Sequence, residues 1–290
     1  MNGHFWGDDF LYRILACDLD ETLISRDRSI SVENIDAITQ ALRLGIKFVP
    51  ATGRSFASVQ TILKTLGLHD VAGQYVISFN GGVITENKDN RIISLRGISF
   101  ELASDLFKAG LQYDVSIHVY TIDKLFIKNL TRNESDYIAG RMEAFEIFDQ
   151  DLEFLKGQDI VKILYANPDF DYLQDIEVDL KALTDDVATV SYSSNRYIEF
   201  NRLGVDKGSG LNLLADLLGI DMKATIAIGD NYNDLTMILG AGLGVGVQNT
   251  VEAIKSHCDY ICQTDHNQSA VAEVINKFIL KDYGSQILIQ

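Results

Sequence analysis

Two aspartates, Asp18 and Asp20, stand two residues apart directly after a short apolar segment. That segment, Ile14–Cys17, has the composition of a buried parallel strand, so both carboxylates are expected where the strand ends and a loop begins. In open α/β sheets, this edge is where ligands bind. Two carboxylates so close repel each other, and a cation is therefore expected between them. Taken alone, the pair is also compatible with a turn that starts a helix.

A second acidic group follows another apolar segment far downstream. Residues 224–228 predict a strand, and Gly229 allows a tight turn that leads to Asp230 and Asp234. If this strand is a neighbour of the first in one parallel sheet, the four aspartates converge. Four carboxylates in one pocket need a counter-ion, and oxygen ligands beside a phosphate and water suit Mg²⁺. By itself, the downstream motif is also typical of an ordinary strand-to-helix loop.

Two further segments supply groups suited to a phosphate. Thr52 and Gly53 follow the predicted strand Lys47–Ala51, and a hydroxyl with adjacent backbone N–H groups can donate to phosphate oxygens. Lys207 opens a predicted helix, where its ammonium would balance the carboxylates and an incoming phosphate. Each signal is weak alone. The Thr52-Gly53 segment is also compatible with a helix N-cap, and Lys207 is also compatible with a solvated surface lysine.

In chain order these motifs resemble the signatures of the haloacid dehalogenase superfamily of phosphohydrolases. The motifs are Asp18-Leu19-Asp20-Glu21-Thr22-Leu23, Thr52, Lys207 and Gly229-Asp230-Asn231-Tyr232-Asn233-Asp234. The Cof-type branch is indicated by Ala51-Thr52-Gly53-Arg54, Ser78-Phe79-Asn80-Gly81-Gly82 and Val205-Asp206-Lys207-Gly208. The resemblance covers nearly the whole chain, but these motifs do not specify a substrate.

The resemblance implies a chemical role for the acidic residues. Asp18 would attack phosphorus to form an aspartyl-phosphate, and Asp20 would serve as general acid and then general base. The ligands implied for Mg²⁺ are Asp18, the backbone carbonyl of Asp20, and Asp230. Thr22 would steer Asp20, and Asp234 would orient Lys207 or a metal-bound water.

The same resemblance implies which residues hold the substrate. Those expected to bind the phosphate are the backbone N–H of Leu19, Thr52, Gly53, Lys207 and Asn233. Arg54 and Asn80 stand at core strand ends and are candidate contacts to the rest of the substrate. Weaker candidates for substrate contact lie on one predicted hairpin of an inserted segment: His118, Tyr120 and Lys124. Residues of these types at such positions are more often ordinary polar groups on the surface.

The alternation of strands and amphipathic helices predicts a doubly wound, Rossmann-like parallel sheet, with Tyr75–Phe79 as its third strand. The pattern changes at the polar loop Glu86–Asn90, a hairpin connection that parallel sheets do not use. We expect a core formed by residues 1–84 and 196–290 and an inserted α/β cap at residues 85–195, with one cap helix at Glu134–Phe145. A cap that closes would exclude water and select the leaving group.

Composition restricts the partners. The net charge of −16 and the absence of a Lys/Arg stripe argue against nucleic acid. The longest apolar stretch, Leu235–Val247, is too short and glycine-rich to span a membrane. Three cysteines form no even framework and are expected to be reduced and buried, which suits a cytoplasmic enzyme. Residues 1–10 lack a signal-peptide profile and are expected to be a loose extension.

The predicted function is a Mg²⁺-dependent phosphatase for small phosphorylated metabolites, with sugar phosphates favoured. A phosphomutase of the same fold, or a phosphatase for pyridoxal phosphate or flavin mononucleotide, stays open. A dinucleotide-binding oxidoreductase is disfavoured, because Val245 occupies the third glycine position of the only candidate fingerprint. A binding module without chemistry would be expected to lack one of the motif acids or Lys207. The sequence makes no prediction of oligomeric state.

Overall fold

The structure is a computed structural model, and it describes residues 12–138 and 143–281 of the 290-residue chain. The predicted extension at residues 1–10 lies outside the described residues. The strands are β1 (Ile14–Cys17), β2 (Lys47–Pro50), β3 (Tyr75–Ser78), β4 (Val83–Glu86), β5 (Arg91–Leu95), β6 (Ser116–Thr121), β7 (Leu125–Lys128), β8 (Ala144–Glu146), β9 (Ile160–Ala166), β10 (Ala188–Ser193), β11 (Tyr197–Arg202), β12 (Thr225–Gly229), β13 (Leu243–Gly246) and β14 (Tyr260–Ile261). The helices are α1 (Val32–Arg43), α2 (Gln60–Thr65), α3 (Phe100–Gly110), α4 (Arg132–Ile138), α5 (Phe170–Thr184), α6 (Lys207–Leu218), α7 (Leu235–Gly240), α8 (Glu252–Lys255) and α9 (Ala270–Ile275), which a π-helical turn, Asn276–Leu280, continues.

A five-stranded parallel sheet forms the centre of the larger unit, with the strand order β14-β13-β12-β1-β2. β1 therefore lies between β2 and β12, so three strands that are distant in sequence end side by side. β3 continues the sheet beyond β2 through a parallel bridge between Ala51 and Ile77, and then pairs with β4 and β5 in an antiparallel hairpin sheet. The doubly wound α/β prediction is confirmed.

Alternate residues of β1 supply the two faces of this sheet. Leu15 and Cys17 pack in one buried cluster with residues of α1 and α9, whereas Ile14 and Ala16 pack in another with residues of α6 and α7. A strand buried on both sides has to be apolar throughout, which is why β1 reads as an uninterrupted apolar run. Helix α1 starts where the Ser31 hydroxyl accepts from the backbone N–H of Asn34, a normal N-cap.

The smaller unit contains a six-stranded sheet in the order β10-β11-β9-β6-β7-β8. Residues of α3 and α5 cover one face, with Ile163 and Tyr165 of β9 pointing toward them. The alternate residues of β9 and β11, among them Lys162 and Glu199, occupy the opposite face, since side chains in a strand alternate. That opposite face contacts the larger unit, because Lys162 Nζ donates to the carbonyl of Gly53 at 3.1 Å.

The sheets do not divide at the predicted domain boundaries. The predicted boundary at residue 196 places β11 in the core, but β11 pairs with β9 and β10 in the six-stranded sheet. The predicted boundary at residue 85 divides β4 and places β5 in the cap, but β4 pairs with β3 beside the parallel sheet and β5 pairs with β4. The domain boundary follows the strand pairing and not the change in sequence pattern. We therefore propose a cap that begins at Ile98 and ends with β11. Ile98 forms an antiparallel bridge with Ile160 of the cap sheet.

One predicted cap helix is wrong at its last two residues, Ala144 and Phe145, while residues 139–142 lie outside the described residues. The helix expected at Glu134–Phe145 is α4, which ends its described part at Ile138, and Phe145 lies in strand β8. β8 pairs in parallel with β7, and the rings of Phe126 and Phe145 have centroids 5.6 Å apart. Cross-strand pairing thus outweighs the local helical pattern at Phe145.

Candidate active site

The carboxyl ends of β1 and β12 bring the two acidic motifs together. Cys17 pairs with Ile228, and the backbone N–H of Asp18 donates to the Ile228 carbonyl at 2.9 Å. A carboxylate oxygen from each of Asp18, Asp230 and Asp234 lies within 4.8 Å of the others, and all three residues are buried. Parallel pairing of adjacent strands is what places these acids, separated widely in the chain, at one edge of the sheet.

Lys207 is the cation of this cluster. Its Nζ lies 2.6 Å from Asp18 Oδ1 and 2.6 Å from Asp234 Oδ1, and its side chain is 0% exposed. Burial alone would favour the neutral amine, but the two carboxylates outweigh it and raise the pKa of Lys207 above its ordinary value. Lys207 is the first residue of α6, where the helix dipole disfavours a cation, so these carboxylates hold it there.

Asp234 is fully engaged by the protein. Its Oδ1 accepts from Lys207, and its Oδ2 accepts from the backbone N–H groups of Asp230 and Asn231 at 2.9 and 3.1 Å. Gly229 permits this arrangement, because a Cβ there would lie 2.4 Å from the Cβ of Asp234. With both oxygens occupied, Asp234 orients Lys207 and the loop after β12.

Lys207 alone does not balance the negative charge of Asp18 and Asp230, the other two buried acids. Burial, with Asp234 nearby, raises the pKa of Asp18 to about 7 despite Lys207, and burial raises the pKa of Asp230 well above its ordinary range. Three buried carboxylates face one ammonium, a deficit that a divalent cation would correct. An all-oxygen donor set from Asp18 and Asp230 fits Mg²⁺.

Thr22 contacts the acid at the end of β12. Its hydroxyl donates to Asp230 Oδ1 at 3.0 Å, and its side chain is fully buried. This bond orients Asp230, and the implied role of Thr22 in steering Asp20 stays a prediction. This contact joins the two acidic motifs a second time.

Arg54 holds the side chain of Asp20. Its guanidinium makes two hydrogen bonds to the carboxylate, one from Nε to Oδ2 at 2.7 Å and one from Nη2 to Oδ1. The backbone N–H of Arg54 also donates to Thr52 Oγ1 at 3.1 Å. Since that oxygen is an acceptor here, its own proton stays available to a ligand.

A cavity of about 320 Å³ lies between the two units above these acids. The predicted site residues that line it are Asp18, Asp20, Thr52, Gly53, Arg54, Asp230 and Asn233. The predicted site residues that lie behind its wall are Leu19, Thr22, Asn80, Lys207 and Asp234. Asn80 is 2% exposed and bonds to Glu199 and Asn233, so its candidacy as a substrate contact is corrected to a buried support.

The candidate substrate contacts from the cap also divide into residues that line the cavity and residues that do not. Tyr120 lines the cavity, whereas His118 and Lys124 are not among its lining residues. His118 is 0% exposed, and burial, assisted by Lys162 and Arg196, lowers its pKa to about 3. Its ring lies within the cap, between the rings of Tyr120 and Tyr197.

Sequence reasoning missed Lys162 and Glu199, which line the cavity from the cap. Lys162 Nζ is paired with Glu199 Oε2, and the two side chains are 3% and 2% exposed. The available signal was a charged residue with apolar neighbours in each of two strands: Lys162 is the single charge of β9, and Glu199 lies between Ile198 and Phe200 in β11. A charge at such a position is costly unless it is paired, so each of the two residues implied a partner.

The three cysteines are free, and the predicted burial is confirmed for two of them but is wrong for Cys258. Cys17 and Cys262 are buried and Cys258 is half-buried, and burial raises the pKa of each thiol. Among the described residues, no helix combines the length and apolar character needed to cross a bilayer.

Residues 15–275 match the family model described as haloacid dehalogenase-like hydrolase. The chain is 28% identical over 295 residues to the 5-amino-6-(5-phospho-D-ribitylamino)uracil phosphatase YwtE of Bacillus subtilis, covering 94% of this chain and 100% of that one. It is 26% identical over 274 residues to the HMP-PP phosphatase of Serratia proteamaculans, covering 94% and 97%. A haloacid dehalogenase-like hydrolase structure from B. subtilis superposes with a TM-score of 0.81 at 25% identity, covering 92% and 100%.

Proposed function

The chain belongs to the haloacid dehalogenase-like hydrolases and is a phosphoric monoester hydrolase, and on that premise we propose a Mg²⁺-dependent phosphatase that acts on small phosphorylated metabolites through Asp18. The observation that carries the proposal is the buried group of Asp18, Asp230, Asp234 and Lys207 at the base of the cavity. Three acids around one ammonium leave a charge deficit beside the proposed nucleophile. A divalent cation and a phosphoryl group together would complete that arrangement.

The proposed ligands of Mg²⁺ are the carboxylates of Asp18 and Asp230 and the backbone carbonyl of Asp20. Asp234 is left out, because Lys207 and two backbone N–H groups occupy its oxygens. Thr22 fixes Asp230 from behind, which is the usual way in which an outer group orients a metal ligand. When bound, the ion would neutralise charge between the nucleophile and the phosphate.

The proposed chemistry has two displacements at phosphorus. A carboxylate oxygen of Asp18 forms a bond to phosphorus as the bond to the leaving oxygen breaks, and Asp20 gives that oxygen a proton. Asp20 then takes a proton from a water molecule that attacks phosphorus, and the bond to Asp18 breaks to release inorganic phosphate. Asp20 reaches this role only when the substrate displaces its two hydrogen bonds with Arg54.

Groups around the cavity support binding of the phosphoryl oxygens. The hydroxyl of Thr52 and the side chain of Asn233 line the cavity beside Asp18. We propose both as donors, with the backbone N–H groups of Leu19 and Gly53. Lys207 contributes its charge from below, where it also holds Asp18 in place.

For the leaving group we propose a sugar or sugar-alcohol phosphate. The cavity is lined by Tyr120, Tyr137 and Tyr197 and by the serines Ser193 and Ser194, so it combines ring faces with groups that bond hydroxyls. The name of the B. subtilis relative YwtE describes a ribityl phosphate joined to a uracil. Pyridoxal phosphate and flavin mononucleotide are the alternative monoesters, and a phosphomutase is the alternative reaction.

The test is a panel of phosphomonoesters assayed for released inorganic phosphate with Mg²⁺ and with a chelator, without any sugar bisphosphate activator. We expect turnover that requires Mg²⁺ and that the Asp18→Asn variant loses by orders of magnitude, while the variant still folds. Vigorous hydrolysis by Asp18→Asn would contradict the assignment of Asp18 as the nucleophile. Activity in the presence of the chelator would contradict the proposed requirement for Mg²⁺. Phosphate release that depends on the bisphosphate would favour the mutase.

We also propose that the enzyme works in the cytoplasm. Its thiols carry no disulfide, which suits a reducing compartment. The proposed partner is the small phosphorylated substrate.

A further inference from the structure

The cap contributes an ion pair that contacts two loops of the core, one at Gly53 and one at Asn80. Lys162 Nζ bonds to Glu199 Oε2 within the cap and to the carbonyl of Gly53 in the core at 3.1 Å. Glu199 Oε2 also accepts from Asn80 Nδ2 at 3.0 Å, across the boundary between the units. These side chains are nearly fully buried, so the contacts are made in a desolvated place where hydrogen bonds to charges are strong.

On one side the contact acts on Thr52 through a single peptide group. The carbonyl of Gly53 and the N–H of Arg54 belong to the same planar trans peptide, so they point in opposite directions. Lys162 holds the carbonyl, and the N–H on the other side donates to Thr52 Oγ1 at 3.1 Å. The hydroxyl proton of Thr52 is thereby left to the cavity.

On the other side the contact sets the orientation of two amides. An ionised carboxylate only accepts hydrogen bonds, so the group of Asn80 that faces Glu199 has to be its NH₂. The carbonyl oxygen of Asn80 then accepts from Asn233 Nδ2 at 3.3 Å, which fixes one N–H of the Asn233 amide on Asn80 and leaves its second N–H for the cavity that Asn233 lines. Asn80 takes a left-handed backbone conformation, with φ 53° and ψ 40°, that asparagine tolerates better than most residues.

We propose that Lys162 and Glu199 are positioning residues, which orient the phosphate donors Thr52 and Asn233 when the cap lies against the core. The inference rests on the proposed phosphatase function and adds a link between cap closure and the geometry of the phosphate site. An open cap removes both bonds at once. The donors are then ordered for catalysis only when the cavity is covered and water is excluded.

The experiment compares Lys162→Met, Glu199→Gln and the double variant with wild type, using the best phosphomonoester of the panel. Each single variant is expected to lose about 10- to 100-fold in kcat/KM, with most of the loss in kcat. The double variant is expected to lose no more than the worse single variant, because the pair acts as one unit. It also buries no unpaired charge, so it tests the proposal even if Lys162→Met does not fold.

The matched control is Lys128→Met on β7, in the same sheet and two strands away from β9. Lys128 Nζ donates to the carbonyls of Phe148 and Asp149 within the cap, and we expect wild-type kcat/KM from this variant. Folded Glu199→Gln and double variants with wild-type kcat would overturn the positioning role, as would additive losses. Asp18→Asn separates the two proposals. If Asp18→Asn is inactive while Lys162→Met, Glu199→Gln and the double variant keep the wild-type kcat, the phosphatase proposal is supported and the positioning role is contradicted.

Discussion

Two buried ionic clusters among residues 12–138 and 143–281 differ in charge balance. In the core, Asp18, Asp230 and Asp234 surround the single ammonium of Lys207. In the cap, each buried acid has its own cation: Lys162 pairs with Glu199, and Arg196 pairs with Glu134. Both clusters avoid isolated buried charges, which would be prohibitive. The balanced pairs are complete by themselves, whereas the core cluster still requires positive charge and so identifies the place where chemistry is expected.

The largest effect should follow from removing the core ammonium. Lys207→Met leaves three buried carboxylates without a counter-ion, and the free energy of unfolding without divalent ions should fall by about 3–5 kcal/mol at neutral pH. Urea denaturation measures it. Lys255→Met removes a lysine paired with Glu252 on the surface and should change stability by less than about 1 kcal/mol. A loss no larger than that of the control would contradict the role of Lys207.

Adding Mg²⁺ should distinguish the two clusters directly. At a free concentration of 100 times its dissociation constant, an ion that binds the folded state raises the free energy of unfolding by about 2.7 kcal/mol. Wild type and Glu199→Gln should both gain this stability in urea denaturation, while Asp230→Asn should not. Equal gains in Asp230→Asn and wild type would place the ion elsewhere.

The cap cluster should give the protein an acid-sensitive side chain. The pKa of His118 is lowered to about 3 by burial, Lys162 and Arg196, with Glu134 3.6 Å from its Nε2. The unfolded state takes up a proton below about pH 6.5, so stability is present above that pH and is lost as pH falls toward 3. Wild type should lose roughly 2 kcal/mol more than His118→Leu between pH 7 and pH 5 in urea denaturation. Parallel pH profiles would show that His118 is protonated in the folded state.

A smaller effect should come from Thr22, the group behind the proposed metal site. Thr22→Val keeps the shape of the side chain but removes its hydrogen bond to Asp230 Oδ1. The dissociation constant for Mg²⁺ should rise by about 10-fold, as measured by calorimetric titration. Thr39→Val removes a hydroxyl that bonds only to the backbone of α1 and should leave the constant unchanged. Identical constants for both variants would return Thr22 to a purely structural role.

The two clusters also differ in how far the sequence predicts them. Asp18 and Asp230 each follow an apolar strand, so parallel pairing alone brings them together, and the doubly wound core follows from the same pattern. Thr22 could not be placed, because the direction of a loop side chain depends on contacts that no periodicity encodes. Lys162 lies on β9 and Glu199 on β11. These two strands pair through tertiary structure, which the local sequence pattern of neither strand predicts. Phe145 shows the same limit, since its pairing with β7 outweighs its helical surroundings.

The most direct test of the account is whether Asp18 carries the phosphoryl group. A rapid-quench experiment with a radiolabelled phosphomonoester and Mg²⁺ should trap label on the protein within one turnover, and peptide mapping should locate it at Asp18. Asp18→Asn, and wild type in a chelator, should trap none. Label on another residue, or full hydrolysis by Asp18→Asn, would contradict the account.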